Sequence, residues 1–118
     1  MSNLTLPPVG IGTYDTPSEA CREAVEYALN GGYRHVDTAE MYDNESAVGD
    51  AIAAADVERT EVFISTKIHS TNLGYDDLIS HARDCCDRLG VDQLDLLYVH
   101  WPIRSYDPAE TLEAMDYL

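Results

Sequence analysis

The 118-residue sequence predicts an α/β fold in which parallel strands are joined by helical crossovers. Three observations carry that expectation. Short β-branched or leucine-rich runs alternate with longer segments of helical periodicity, capping residues open three of the helical segments, and glycines close two of them. No linker, low-complexity tract or second domain interrupts the alternation, and the repeat is architectural, without self-similarity between units.

The first strand is expected over Val9–Thr13. Thr16-Pro17-Ser18-Glu19 then carries a capping-box pattern with proline at the first helical position. Ala20, Ala24, Val25, Ala28 and Leu29 recur at helical spacing, and Gly31-Gly32 supplies a stop. Tyr33–Asp37 is the second strand, and a second helix over about Asn44–Ala55 is capped by Asp43 or Asn44. The third strand is Val62–Lys67. The third helix, Tyr75–Leu89, has Leu78, Ala82, Cys85 and Leu89 as its apolar stripe and Gly90 as its stop. Leu94–His100 is the fourth strand, and Asp107-Pro108-Ala109-Glu110 opens a fourth helix.

Composition narrows the function classes. The chain carries 22 acidic against 7 basic residues, a formal charge of -15, and a single lysine, which argues against nucleic acid or anionic membranes as partners. Such a surface serves solubility, and also fits adaptation to a salt-rich cytoplasm, where screening relieves self-repulsion. The opening MSNLTLPPVG has no basic and apolar leader, and no run approaches a membrane span, so the chain reads as soluble and cytoplasmic. Cys21, Cys85 and Cys86 fall in helical segments and read as reduced and mostly core, and no CxxC pair or histidine-rich tract suggests zinc.

Three polar residues close successive strands. Lys67 lies 30 residues after Asp37, and His100 lies 33 after Lys67, about one βα unit each, which stacks them on one rim at the strands' carboxyl ends. Tyr42 hangs over that rim in the loop after the second strand. Taken singly, Asp37 reads as a turn cap, His100 as a satisfied core histidine and Tyr42 as a packing aromatic. Lys67 resists such a reading, because burying an ammonium is costly unless it is paired. Jointly the four make chemical sense. A tyrosine, with an intrinsic pKa near 10, needs a cation beside it to give up a proton at neutral pH. Asp37 would hold Lys67 charged, and His100 would hydrogen-bond the reacting oxygen.

The segments VGIGTY, HVDTAEMYDNE, STKI and YVHWP, in this order and at this spacing, resemble the aldo-keto reductase family over the whole chain. The resemblance implies a (β/α)8 barrel of which this is the N-terminal half: one partial domain over residues 1–118 that carries the catalytic tetrad. It implies reduction of an aldehyde or ketone to an alcohol with a nicotinamide cofactor, NADPH in preference to NADH. Carried over residue by residue, it makes Tyr42 the proton donor, Lys67 its pKa modifier, Asp37 the partner of Lys67, and His100 the orienter of the substrate carbonyl. It puts Thr13 and Tyr14, with Asp37, at the nicotinamide end, and Trp101 beside His100 as a wall of the substrate pocket that Tyr14 also borders. For Trp101 and Tyr14 a plain packing role stays open.

A complete barrel needs about 250 residues, and this sequence ends in its fourth helix. In the family most phosphate and adenine contacts come from later loops, and no GxGxxG or Walker pattern replaces them. The expectation is a fragment, a truncated frame or a half barrel, partnered by a C-terminal half or by a second copy. The family's N-terminal hairpin is also expected to be reduced. Two rivals remain: a non-catalytic half-barrel module, and a metal-dependent hydrolase binding metal through His35, Asp37, His100 and a carbamylated Lys67.

Overall fold

The computed structural model describes residues 5–118, so the expectations placed on the first four residues, the missing leader and part of the reduced hairpin, lie outside it. Four strands, β1 (Ile11–Gly12), β2 (His35–Asp37), β3 (Phe63–Ile68) and β4 (Leu96–Val99), form one parallel sheet in sequential order. Helices α1 (Ser18–Asn30), α2 (Glu45–Ala54), α3 (Tyr75–Leu89) and α4 (Pro108–Tyr117) follow the strands in turn. The α/β alternation read from the sequence is therefore the observed architecture. It is four successive βα units.

The helices bury their stripes against one face of the sheet. Cys21, Val25 and Leu29 of α1 meet Val48, Ala51 and Ile52 of α2 together with Val36 and Ile64, while Leu78, Ala82 and Cys85 of α3 pack with Ile68 and Ala114. Burial pushes the thiols of Cys21, Cys85 and Cys86 up, and all three are free. The opposite face of the sheet has no layer over it among the described residues. Gly10, Gly12, His35, Asp37, Lys67 and Tyr98 line an open groove of about 390 Å³ there.

Several local expectations are corrected. The second strand starts at His35 because the Tyr33 N–H is spent on the Ala28 carbonyl at 2.9 Å, closing α1. The capping box does not form: the Thr16 hydroxyl donates to the Tyr14 carbonyl at 3.1 Å, and Pro17 caps α1 without a side-chain bond. Asn44 stands at the cap of α2, but its amide turns inward to the β1–α1 loop. Two signals work as read. Asp107 accepts from the Ala109 N–H at 3.0 Å and caps α4, and Gly90 ends α3 with a left-handed φ of 69°.

Candidate active site

Parallel register builds the site. Asp37 pairs with Ser65 across β2 and β3, and Lys67 pairs with Tyr98 across β3 and β4, so side chains two apart on each strand point into the groove together. His100 follows β4, and its N–H continues the ladder to the Ile68 carbonyl at 3.1 Å. Tyr42 closes a 3-10 turn, Glu40–Tyr42, after which Asp43 takes a left-handed φ of 55° and turns the chain into α2. The four residues expected on one rim are together.

Their contacts are specific. Lys67 Nζ donates to Asp37 Oδ2 at 2.7 Å and to the Thr38 carbonyl at 3.0 Å. It stands 5.1 Å from the centre of the Tyr42 ring and 5.8 Å from that of Tyr98. The Tyr42 ring meets His100 edge to face at 5.8 Å between centroids, and meets Tyr14 at 5.4 Å. Trp101 lies nearly parallel to His100, with 11° between the planes.

His100 is electrostatically distinct. Burial lowers its pKa from the ordinary 6.5, and Lys67 and His69 push it further down against the opposing pull of Asp37. The ring is neutral at neutral pH as a result, and can donate one hydrogen bond without carrying charge. Its Nδ1 is buried without a hydrogen-bond partner, alone in this among the side-chain nitrogens and oxygens of the described residues. A buried polar atom without a partner costs about 1 to 3 kcal/mol, so it calls for an explanation.

The remaining candidates fall into two groups. Tyr14 is 71% and Trp101 60% exposed, each presenting an aromatic face beside the Tyr42–His100 pair. Thr13 is buried, and its hydroxyl bonds Thr38 Oγ1 at 2.8 Å within a network that Asn44 completes. Its backbone is engaged as well, the N–H donating to the Asp37 carbonyl at 3.2 Å and the carbonyl accepting from Asn44 at 2.8 Å. The metal alternative finds its donors engaged, His35 with Ser65 and Asp37 with Lys67, and the described residues contain no group of three metal-ligating side chains.

Two sets of residues escaped the sequence reading. Ser65 Oγ donates to Asp37 Oδ1 at 2.6 Å and contacts His35 Nε2 at 2.9 Å. Position two before Lys67 on the same strand face was the available signal. Behind the Tyr42 turn, Glu40 accepts from the His69 N–H and from Asn72, both at 2.9 Å, and pairs with His81. Glu45 takes Arg88 at 2.8 Å and Thr66 at 2.6 Å. No local spacing announces these partners, which lie 21 to 43 residues away.

The model of the Aldo/keto reductase family matches residues 8–118. The chain belongs to the aldo/keto reductase family. A Mycobacterium sp. (strain KMS) protein named aldo-keto reductase is 46% identical over 99 residues, which cover 84% of this chain and 36% of that protein. Methylglyoxal reductase DkgB of Salmonella typhi is 44% identical over 99 residues, 84% of this chain and 37% of the relative. An aldo-keto reductase, MGS-M4, from a Medee basin deep-sea metagenome library superposes with a TM-score of 0.92 at 38% identity, over 98% of this chain and 43% of its own. The Bombyx mori aldo-keto reductase AKR2E4, solved in complex with NADP, gives 0.85 at 31% identity over 95% of this chain and 42% of its own. The chain thus spans little more than a third of the curated relatives it matches. Its four βα units correspond to part of an aldo-keto reductase barrel.

Proposed function

We propose that the chain supplies the catalytic half of an NADPH-dependent reductase that converts an aldehyde or ketone to the alcohol. The single observation carrying this reading is the constellation at the rim: an Asp37–Lys67 ion pair whose ammonium and whose neighbour His100 both close on the Tyr42 ring. Relatives named as reductases, and one solved with NADP, support the reaction class and the cofactor. Residues 1–118 act as one partial domain.

In this reading Tyr42 Oη gives its proton to the carbonyl oxygen as that oxygen gains charge, and Lys67 stabilises the phenolate left behind. Asp37 pairs with the Lys67 ammonium and holds it beside the ring. Neutral His100 donates to the same carbonyl oxygen from the other side, fixing which face of the carbonyl carbon meets the reductant. Tyr14 and Trp101 bound the substrate. A bound NADPH, or NADH in its place, supplies the hydride that the carbonyl carbon takes up.

The residues present fit one end of that cofactor. The exposed faces of Tyr14 and Trp101 and the open groove beside Asp37 and Lys67 suit a flat nicotinamide, with Thr13, Tyr14 and Asp37 as its nearest neighbours. The sequence has neither a GxGxxG nor a Walker loop for the phosphates, and it carries a charge of -15. The partners are therefore a carbonyl compound, a nicotinamide cofactor, and the protein that covers the groove: a C-terminal half, or a second copy of the chain. The open groove favours one further reading, a half barrel without activity of its own.

One experiment separates the two. NADPH fluorescence is titrated, and carbonyl reduction assayed, with the chain alone and with an aldo-keto reductase C-terminal half added. Turnover only after addition is the expected result. Micromolar binding and turnover by the lone chain would overturn the need for a covering half, and no turnover in either arm would leave the module reading.

A further inference from the structure

The geometry points to Ser65 and His35 as positioning residues of this site: a hydrogen-bond chain from His35 to Ser65 to Asp37 holds the Asp37 carboxylate in the rotation that presents Oδ2 to Lys67. Asp37 Oδ1 accepts from Ser65 Oγ at 2.6 Å, and Oδ2 accepts from Lys67 Nζ at 2.7 Å. The hydroxyl has one proton, and it goes to the carboxylate. The 2.9 Å contact between Ser65 Oγ and His35 Nε2 therefore has the imidazole as donor, which assigns His35 the tautomer protonated at Nε2. All of these atoms lie on the groove side of β2 and β3, where Asp37 and Ser65 are register partners.

The chain is braced at its far end. His35 stands edge to face with Phe63 at 5.1 Å between centroids. Gly10 also packs on this ring: an added Cβ there would come 2.7 Å from His35 Nδ1 and 2.9 Å from Cγ. Real Cβ contacts do not get that short, so Gly10 is a slot for this ring. Ser65 is fully buried, which makes its bond to a carboxylate hard for water to replace.

The need for such a brace follows from the torsions. The last torsion of an aspartate is broad and roughly two-fold, and a lysine has four rotatable bonds, so the ion pair alone does not define where the ammonium sits. Ser65 gives Asp37 a second fixed point on an oxygen that Lys67 does not use. The Tyr42–Lys67 separation then depends on a line running from the Gly10 backbone, just before β1, through His35 and Ser65 to Asp37.

For its catalytic consequence this rests on the reductase reading; for position it rests on the contacts alone, and the test has an arm for each. Lys67 is the chain's only lysine, so lysine labelled with ¹⁵N gives one side-chain ammonium signal. In the 118-residue chain, Ser65→Ala and Gly10→Ala are expected to shift that signal and speed exchange of its protons with water. Ser65→Thr, which keeps the hydroxyl, is expected to restore the parent signal. Far-UV circular dichroism checks folding, and if one variant fails to fold the other carries the comparison. In the assembled reductase Ser65→Ala is expected to lower kcat about tenfold while the NADPH Kd stays constant, the pattern of a misplaced catalytic group. An unchanged Lys67 signal in a folded Ser65→Ala or Gly10→Ala variant overturns the inference, as does a shifted signal with unchanged kcat. A Lys67 signal that responds while the parent assembly reduces no carbonyl supports the positioning role and removes the reductase reading.

Discussion

Asp37 and Glu45 each hold a cation from another element, yet one faces a groove and the other a sealed junction. The Glu45 side chain is 1% exposed, with Arg88 on Oε1 and Thr66 on Oε2. Both oxygens are held by protein donors. The Asp37 side chain is 33% exposed, and its partner Lys67 uses two of its three ammonium protons, on Asp37 and on the Thr38 carbonyl. The third proton is left over on the groove side, where Tyr42 stands 5.1 Å from Nζ. The contrast teaches that a saturated buried charge ties elements together, whereas charge with spare hydrogen-bonding capacity beside an open face is available for chemistry.

The largest effect expected on the groove side is kinetic. In an assembly that turns over, Tyr42→Phe should slow kcat by about 10² to 10⁴ with NADPH affinity retained, because only the proton donor is removed. Single-turnover reduction of any carbonyl the parent accepts is the check. Turnover at the parent rate would place Tyr42 among packing aromatics and break the comparison.

On the sealed side the expected effect is on stability. Glu45→Ala should cost about 2 kcal/mol, below the roughly 3 to 5 kcal/mol for breaking a fully buried pair because Arg88 is 38% exposed and can reach water. Urea denaturation gives the value. Lys67→Met should cost less in the same measurement, and an equal or larger loss there would make both carboxylates structural.

Acid should act on the two regions at different pH. His100 is lowered by burial, with Lys67 and His69 adding to it, so below about 6.5 the unfolded chain takes a proton that the folded one refuses, and stability falls as pH drops. Burial raises Glu40, but the His69 N–H, Asn72 and His81 outweigh it and hold the carboxyl below its ordinary 4.5. Its contribution is present above that value and is lost as pH falls through the folded one. Melting midpoints across pH 3 to 8 should lose the upper slope in His100→Asn and the lower slope in Glu40→Gln. A profile identical to the parent in both variants would refute the assignment.

The smallest effect is a control distant from both carboxylates. Asp107→Ala removes the α4 cap and should cost about 1 kcal/mol in the same urea series, without altering Lys67.

Much of this molecule is legible in one dimension. The strand and helix succession, the α4 cap at Asp107, the stop at Gly90 and the strand-end positions of Asp37, Lys67 and His100 all follow from signals confined to a few residues, since helical bonds, caps and strand alternation act over one to four positions. Tertiary structure decided which polar groups keep their local partners. Asn44 leaves its capping role because its own buried amide finds the Thr13 and Thr16 carbonyls, 31 and 28 residues away. Ser65 and His35 become supports of Asp37 only once β2 lies in register on β3, and Glu45 finds Arg88 only when α2 and α3 come together. The reason is burial: a polar atom taken out of water needs some partner, and which one it finds is set by the atoms that folding brings within 3 Å, however far apart they lie along the chain.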